Sequence, residues 1–430
     1  MEKALFGCGA IILLVMIAIG NIDARAEVTT FLILIAVACG AYVSALYLIV
    51  SRKKASRREL VVCLVLCLVW RVPLLISSPI LSDDVYRYIW DGRIQKFGHN
   101  PYASVPDDPQ LRDLHTPITR NIHPTSARLP TIYPPATQLF FRGVTSVHES
   151  VRAMTLAVLV CDILVIAILL KWLIATRRNP FWVLAYAWHP LVAVEGAGAA
   201  HVDFLGVLFV VLAAYALARR WSMVATISLA VAVAVKFLPI VLAPLLWRRV
   251  RIRDAMLSVG FVFLIFLPFV RDTGWFPTGS LSVYLEEWRF NGLVFDWLEP
   301  LLGTTGTLVL TIISGLVVAG FSRHWLPQDA PGAWAWPLAT TLLLMPVIYP
   351  WYLIWLTPFL ITRSTAPLVA WSFGVFLTYA VWHAELNGAG WVLPNWVKPV
   401  EYGLVAVVAV GILCTHRLGL KLFSGPFLSD

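Results

Sequence analysis

Two adjacent carboxylates, Asp83 and Asp84, open a stretch at 81–102 that is rich in Tyr, Trp, Arg and Asn. A carboxylate at the mouth of a partly desolvated cavity can take a proton from an attacking sugar hydroxyl, which is general-base chemistry. The pair also stands where a helix would begin, so Asp83 reads equally as an N-cap, with Asp84 favouring the positive helix end. Both roles can coexist.

Three further groups have chemistry to offer. Glu195, His201 and Asp203 lie in an apolar stretch at 189–203, where Gly196 and Gly198 permit close approach of backbone or ligand. Ionisable side chains in such surroundings are costly and usually functional. His189, His201 and Asp203 are metal-ligand types, but their spacing matches no common motif, so no metal is expected. Substrate contact by His201 and Asp203 stands beside structural hydrogen bonding as their role.

Lys236, flanked by apolar residues on both sides, needs a lipid phosphate or a carboxylate from another helix, unless it snorkels to the interface. At 345–355 Tyr349, Trp351 and Tyr352 sit among prolines, as an interfacial aromatic belt or a ligand-stacking surface.

These residues need elements to hold them, and composition says which kind. The chain has 430 residues, 59% hydrophobic and 13% charged, with a mean hydropathy of +0.79, which marks a polytopic membrane protein. It reads as one integral membrane domain over 1–430. The net charge of +9 sits in clusters between apolar segments, where it sets orientation, so no nucleic acid is expected. The six cysteines lie in apolar segments without zinc or disulfide spacing. The first apolar segment reads as an uncleaved helix.

Apolar stretches at about 4–21, 28–50 and 60–78 flank a basic turn of Arg52, Lys53, Lys54, Arg57 and Arg58, expected to be cytoplasmic. The third helix then delivers Asp83 and Asp84 to the opposite side. The 79–150 stretch reads as a first external loop carrying the Asp pair. In it, a helix from Asp84 with Tyr86, Tyr88, Trp90 and Phe97 is expected to lie along the membrane surface, ending at Gly98, and 136–147 forms a second surface helix. Basic returns follow at Arg177 and Arg178, at Arg219 and Arg220, and at Arg248 to Arg253. A second external loop at 271–302 carries Trp275, Tyr284, Trp288, Arg289 and Trp297. The fold class is all-α, with about twelve to fourteen transmembrane helices, several broken by proline around a central site. No P-loop, dinucleotide fingerprint or serine nucleophile elbow is present, so no nucleotide cofactor is expected.

In order and content, these motifs resemble the GT-C superfamily of polytopic glycosyltransferases that use polyprenyl-phosphate sugars, in particular bacterial relatives of the GPI mannosyltransferase I. The Asp-containing loop with Asn100-Pro101-Tyr102 and Tyr133-Pro134-Pro135 is followed by His189-Pro190-Leu191 and its Gly, His and Asp stretch. Val235-Lys236-Phe237-Leu238-Pro239 and Tyr349-Pro350-Trp351-Tyr352-Leu353 complete the series. One departure is at the front, where two spans precede the helix leading into the Asp loop and family members usually have one.

The resemblance implies a GT-C hexosyltransferase, most often for mannose, moving sugar from a polyprenyl-phosphate donor to a lipid or glycan acceptor. Its site would lie on the external face of the cell inner membrane, without metal or other cofactor. It implies Asp84 or Asp83 as the general base and Lys236 as a partner of the leaving phosphate. Arg93, His201 and Arg289 are added for charge and side, and Asp203, Tyr133, Tyr349, Trp351 and Tyr352 complete the expected substrate-binding set. The alternative is a lipid or glycan transporter or flippase, which also uses broken helices and midplane charge. Polar residues concentrated on one side favour the enzyme.

Overall fold

A computed structural model describes residues 2–50, 56–274 and 276–417. Arg52, Lys53 and Lys54 of the basic turn, and Trp275, lie outside the described residues. The principal helices are α1 (Glu2–Asn21), α2 (Val28–Val50), α3 (Arg57–Ser77), α4 (Asp84–Lys96), α5 (Pro135–Val147), α6 (Val151–Ala175), α7 (Asp203–Ala218) and α8 (Ser222–Val235). After them come α9 (Ile252–Phe266), α10 (Leu293–Trp325), α11 (Pro331–Leu343), α12 (Ala366–Gly374), α13 (Val381–Leu386) and α14 (Val397–Arg417). No β-strand occurs among the described residues, only isolated bridges from Phe290 and Asn291 to Val347.

α1 and α2 are apolar on every face. Ile12, Met16, Phe31 and Ile35 are buried in the bundle, while Leu14, Ile33 and Val37 point outward. A helix hydrophobic all round belongs in a membrane or a deep core. Among the described residues, eight stretches are long and apolar enough to cross: six coincide with most or all of α1, α2, α3, α6, α9 or α10, one runs Arg363–Leu386 through α12 and α13, and one is Val397–Cys414. The protein is therefore an all-α, multi-pass membrane protein. The larger number expected from sequence includes shorter passes, among them α7, α8 and the 3-10 stretch Leu238–Leu246 with Pro239 and Pro244. These breaks collect around the site.

Several arginines of the turns meet at one end. Arg249 donates to Arg323 O at 3.1 Å, the Arg251 backbone N–H to Ser222 Oγ at 2.8 Å, and Arg178 pairs with Asp329 at 3.4 Å. At the other end α4 and α5 form a cap. Tyr88 of α4 stacks on Phe141 of α5 at 4.5 Å, and Thr137 Oγ1 donates to Val235 O at 2.8 Å, joining the cap to the end of α8.

Two expectations change here. α4 does not lie as a surface helix: Tyr88, Ile89, Trp90 and Ile94 are buried, because α5 covers one side and the 106–129 segment the other. Its aromatic stripe is an internal packing surface, with Trp90 stacked on His115 at 4.2 Å. The 271–302 stretch is also only partly loop, since Leu281–Glu287 and the start of α10 are helical.

The crossing of α4 and α5 depends on Gly92, where a Cβ would sit 2.5 Å from the Phe141 carbonyl oxygen. Overpacking typically costs about 1–3 kcal/mol. Gly92→Ala should therefore lower the thermal unfolding midpoint of the purified protein, whereas Gly143→Ala, on the open face of α5 with nothing within 4 Å, should not. Equal midpoints for the two variants would contradict this packing.

Candidate active site

At the capped end lies a cavity of about 560 Å³. Asp83, Asp84, Tyr133, Asp203, Lys236 and Arg289 line it, as do the aromatic residues Tyr349, Trp351 and Tyr352. Residues from six separate stretches of chain thus share one space.

The two carboxylates are placed by a backbone contact. Ile80 N–H donates to Gly198 O at 2.9 Å, and a Cβ at Gly198 would come within 2.6 Å of Ile80 Cδ1. The small residues before His201 thus let the segment carrying Asp83 and Asp84 lie directly on them. Asp83 occupies the N-cap position of α4 but makes no side-chain cap bond. Its Oδ1 accepts from Arg25 Nη2 at 2.6 Å, and Arg25 also lies over the Trp382 ring at 4.4 Å.

Asp84 is left facing the cavity. Its Oδ2 accepts from the Tyr133 hydroxyl at 3.4 Å and lies 3.9 Å from His201 Nδ1. The side chain is 33% exposed, yet that exposure is to the cavity, with protein around it. Burial pushes its carboxyl above the ordinary carboxylate value, against the opposing pull of His201 and Lys236.

Lys236 finds the carboxylate partner that its setting requires. At the break after α8, its Nζ donates to Asp203 Oδ1 at 2.7 Å and rests 3.6 Å from the centroid of the Tyr352 ring. The same Asp203 oxygen accepts from Trp355 Nε1 at 2.6 Å. Tyr352 in turn shares a short hydroxyl contact with Tyr284.

His201 is brought to the site but not into the cavity. It is fully buried, stacked at 4.1 Å on Trp351, with Nε2 3.3 Å from Glu195 Oε2. Arg289 lines the cavity and pairs with Glu299 at 2.5 Å. Arg93 stands apart, donating to Leu114 O at 2.6 Å and Glu149 Oε1 at 2.7 Å. His189 is structural: its Nδ1 accepts from Leu191 N–H at 3.2 Å, and Nε2 meets Ser372 Oγ at 3.0 Å. Among the described residues, no cluster of three or more His, Cys, Asp or Glu could hold a metal ion.

Sequence reasoning missed Arg87, which lines the cavity while donating to Asp91 Oδ1 at 2.7 Å and to the Ser126 and Leu129 carbonyls at 2.6 and 2.9 Å. A signal existed: Asp84, Arg87 and Asp91 fall on one helical face at i, i+3 and i+7. Arg25, Trp355 and Tyr379 carried none, because each reaches its partner across more than 50 residues.

The Lys236 and Asp203 pair should respond asymmetrically to truncation. Asp203 is 3% exposed and Lys236 26%, so the carboxylate suffers more when left alone. Breaking a buried pair costs about 3–5 kcal/mol. Lys236→Met should approach that loss and Asp203→Asn should cost less, as read by thermal unfolding of the two purified variants; the reverse order would contradict the geometry.

A search of curated proteins gives no match to this chain. The sequence model of one family, described as alpha-(1->6)-mannopyranosyltransferase, N-terminal domain, matches residues 11–250. The match begins inside α1, so the two front spans lie within the family pattern, and it includes Asp83, Asp84, His201, Asp203 and Lys236. Because it covers more than half of the 430 residues, the chain belongs to the alpha-(1->6)-mannopyranosyltransferase (MptA_B) family and is a multi-pass membrane mannosyltransferase of the GT-C type.

Proposed function

We propose that this enzyme transfers mannose from a polyprenyl-phosphate donor to a hydroxyl of a lipid or glycan acceptor, forming an α-(1→6) linkage, with Asp84 as the general base. The observation that carries the reading is the two-sided character of the cavity. One wall presents Asp84, while the other is formed by Ile240, Val241, Leu308, Ile312 and Leu342. Ile240 and Ile312 belong to the Leu238–Leu246 and Leu293–Trp325 segments and are 46% and 48% exposed, so this wall offers an open apolar surface to a hydrocarbon tail. A donor with a phosphate head and a hydrocarbon tail fits such a cavity, its tail in the bilayer and its sugar beside the carboxylate.

In the reaction Asp84 takes the acceptor's hydroxyl proton as that oxygen attacks the anomeric carbon. The bond from that carbon to the phosphate oxygen breaks, and its electron pair leaves with the phosphate. Lys236 and Arg289 share the cavity and offset the developing negative charge. A single carboxylate base fits one displacement with inversion. Tyr349 and Trp351, stacked 4.4 Å apart, give a flat apolar surface for the sugar ring, and Tyr133, Tyr352 and Asp203 complete the contacts. The 79–150 and 271–302 stretches act as the external loops over the site, on the outer face of the cell inner membrane. The short turns carrying Arg177, Arg178, Arg219, Arg220 and Arg248 to Arg253 support that orientation, because short cytoplasmic loops carry the basic excess.

Asn caps a helix about as well as Asp but cannot take a proton as a carboxylate does. Asp84→Asn should therefore lower transfer from a synthetic polyprenyl-phosphate mannose by about a hundredfold to ten-thousandfold. Asp83→Asn, which loses only the Arg25 contact, should stay near wild type. Turnover retained in Asp84→Asn would remove it as the base. Because Asp84 must be ionised and burial raises its carboxyl, the rate should fall with decreasing pH through a midpoint above the ordinary carboxylate value. Orientation is tested with single cysteines in a cysteine-free background. An impermeant thiol reagent on intact cells should label Asp107→Cys and not Ser56→Cys, and the opposite pattern would invert the protein.

A further inference from the structure

Behind Asp84 lies a group of buried ionisable side chains that the transfer step above does not use. His201 is enclosed between Asp84 and Glu195, 3.9 Å from the first and 3.3 Å from the second. His201 and Glu195 are both fully buried, and neither lines the cavity. Among the described residues, both ring nitrogens of His201 and Oε2 of Glu195 find no partner in hydrogen-bond geometry, although burying an unpaired polar group is costly. The other carboxylate oxygen of Glu195 accepts from the Tyr379 hydroxyl at 2.7 Å, which fixes Glu195 with Oε2 turned to the imidazole. Trp351, stacked on the ring, fixes the plane of His201. A carboxylate, an imidazole and a second carboxylate therefore stand in line, leading from the cavity wall into the protein.

We propose that His201 and Glu195 form a proton relay that clears Asp84 after it has served as base. The inference rests on the Asp84 reading above. The acceptor's proton first moves to Asp84. A rotation of the Asp84 carboxyl, which is partly free in the cavity, closes the gap to His201 Nδ1, and the proton passes there. His201 then releases its Nε2 proton to Glu195 Oε2. One proton has moved from the acceptor hydroxyl to Glu195, the imidazole ends neutral in its other tautomer, and Asp84 is again a carboxylate. The proton leaves by the reverse path when product departs and water enters the cavity. His201 and Glu195 are thus positioning residues that act through Asp84 and do not touch the sugar.

The titratable groups around the relay are Asp84 and Glu195 on its two sides and Tyr379 behind Glu195. Around Asp84 stand Tyr133, Asp203, Lys236 and the paired Asp83. For the relay to run, Asp84 and Glu195 must be carboxylates and His201 neutral at the outset.

Glu195→Gln keeps the shape of the side chain and removes its ability to take the proton, and His201→Gln removes the link. Each should lower kcat about tenfold to a hundredfold, as loss of an outer partner of a reacting group typically does, with KM for donor and acceptor unchanged. A loss confined to KM, or wild-type kcat in both variants, would overturn the proposal. Asp84→Asn is assayed beside them. If it is inactive while the other two behave as wild type, the relay is wrong and the base stands; if it remains active, the base reading fails first.

Discussion

A charge placed among apolar side chains needs a partner, and around this cavity the pair of Lys236 and Asp203 sets the frame. Asp203 is the first residue of α7, where a carboxylate favours the positive helix end, and Lys236 ends α8. Trp355 donates to the same Asp203 oxygen, so the two helices and the 350–355 stretch are fixed to one atom. Gly206, one turn into α7, leaves room for that indole, since a Cβ there would come within 2.0 Å of Trp355 Cη2. A buried ion pair is a poor guarantee of net stability, because desolvation offsets its attraction. What this one supplies is a single arrangement in which every partner is satisfied.

The two carboxylates of the Asp pair are made unlike by their partners. Asp83 is tied to Arg25, which comes from the turn between α1 and α2 and also lies over Trp382 of α13. Neutralising one of two adjacent carboxylates lessens the repulsion on the other. Asp84, without a basic partner within ion-pair distance other than the imidazole of His201, faces the cavity with its proton affinity raised by burial. The front helix pair, within the family match, thereby ties directly into the Asp loop through Arg25.

A chain of polar contacts joins the pieces of the cap over the cavity. Asp91 accepts from Arg87 and, through its second oxygen, from Gln138 Nε2 at 3.0 Å, while Gln138 also donates to Thr131 Oγ1 at 2.8 Å. Arg87 Nη1 donates to the Ser126 and Leu129 carbonyls. A buried network of this kind rigidifies what it joins, provided its members are paired. It therefore keeps α4, and with it Asp84, at a fixed place on the cavity wall.

The sequence by itself determined the class of the protein and which stretches would have to meet around the cavity. Runs of apolar residues at spanning length dictate membrane helices whatever their packing, and isolated ionisable residues within them, such as Asp203 and Lys236, mark a site because they are costly anywhere else. Local signals could not say who pairs with whom. The partner of Asp83 lies 58 residues away and that of Asp203 on Trp355 is 152 away, distances over which no periodicity carries information. For the same reason α4 looked like a surface helix: its aromatic stripe was correct, but only α5 and the 106–129 segment, folded onto it, decided that the stripe is buried. Arg93 illustrates the converse, a cation of the right charge in the right loop that tertiary structure turns to Glu149 and away from the cavity. Residue type sets which interactions are possible, and the three-dimensional path of the chain chooses among them, because burial and pairing depend on neighbours that sequence order does not supply.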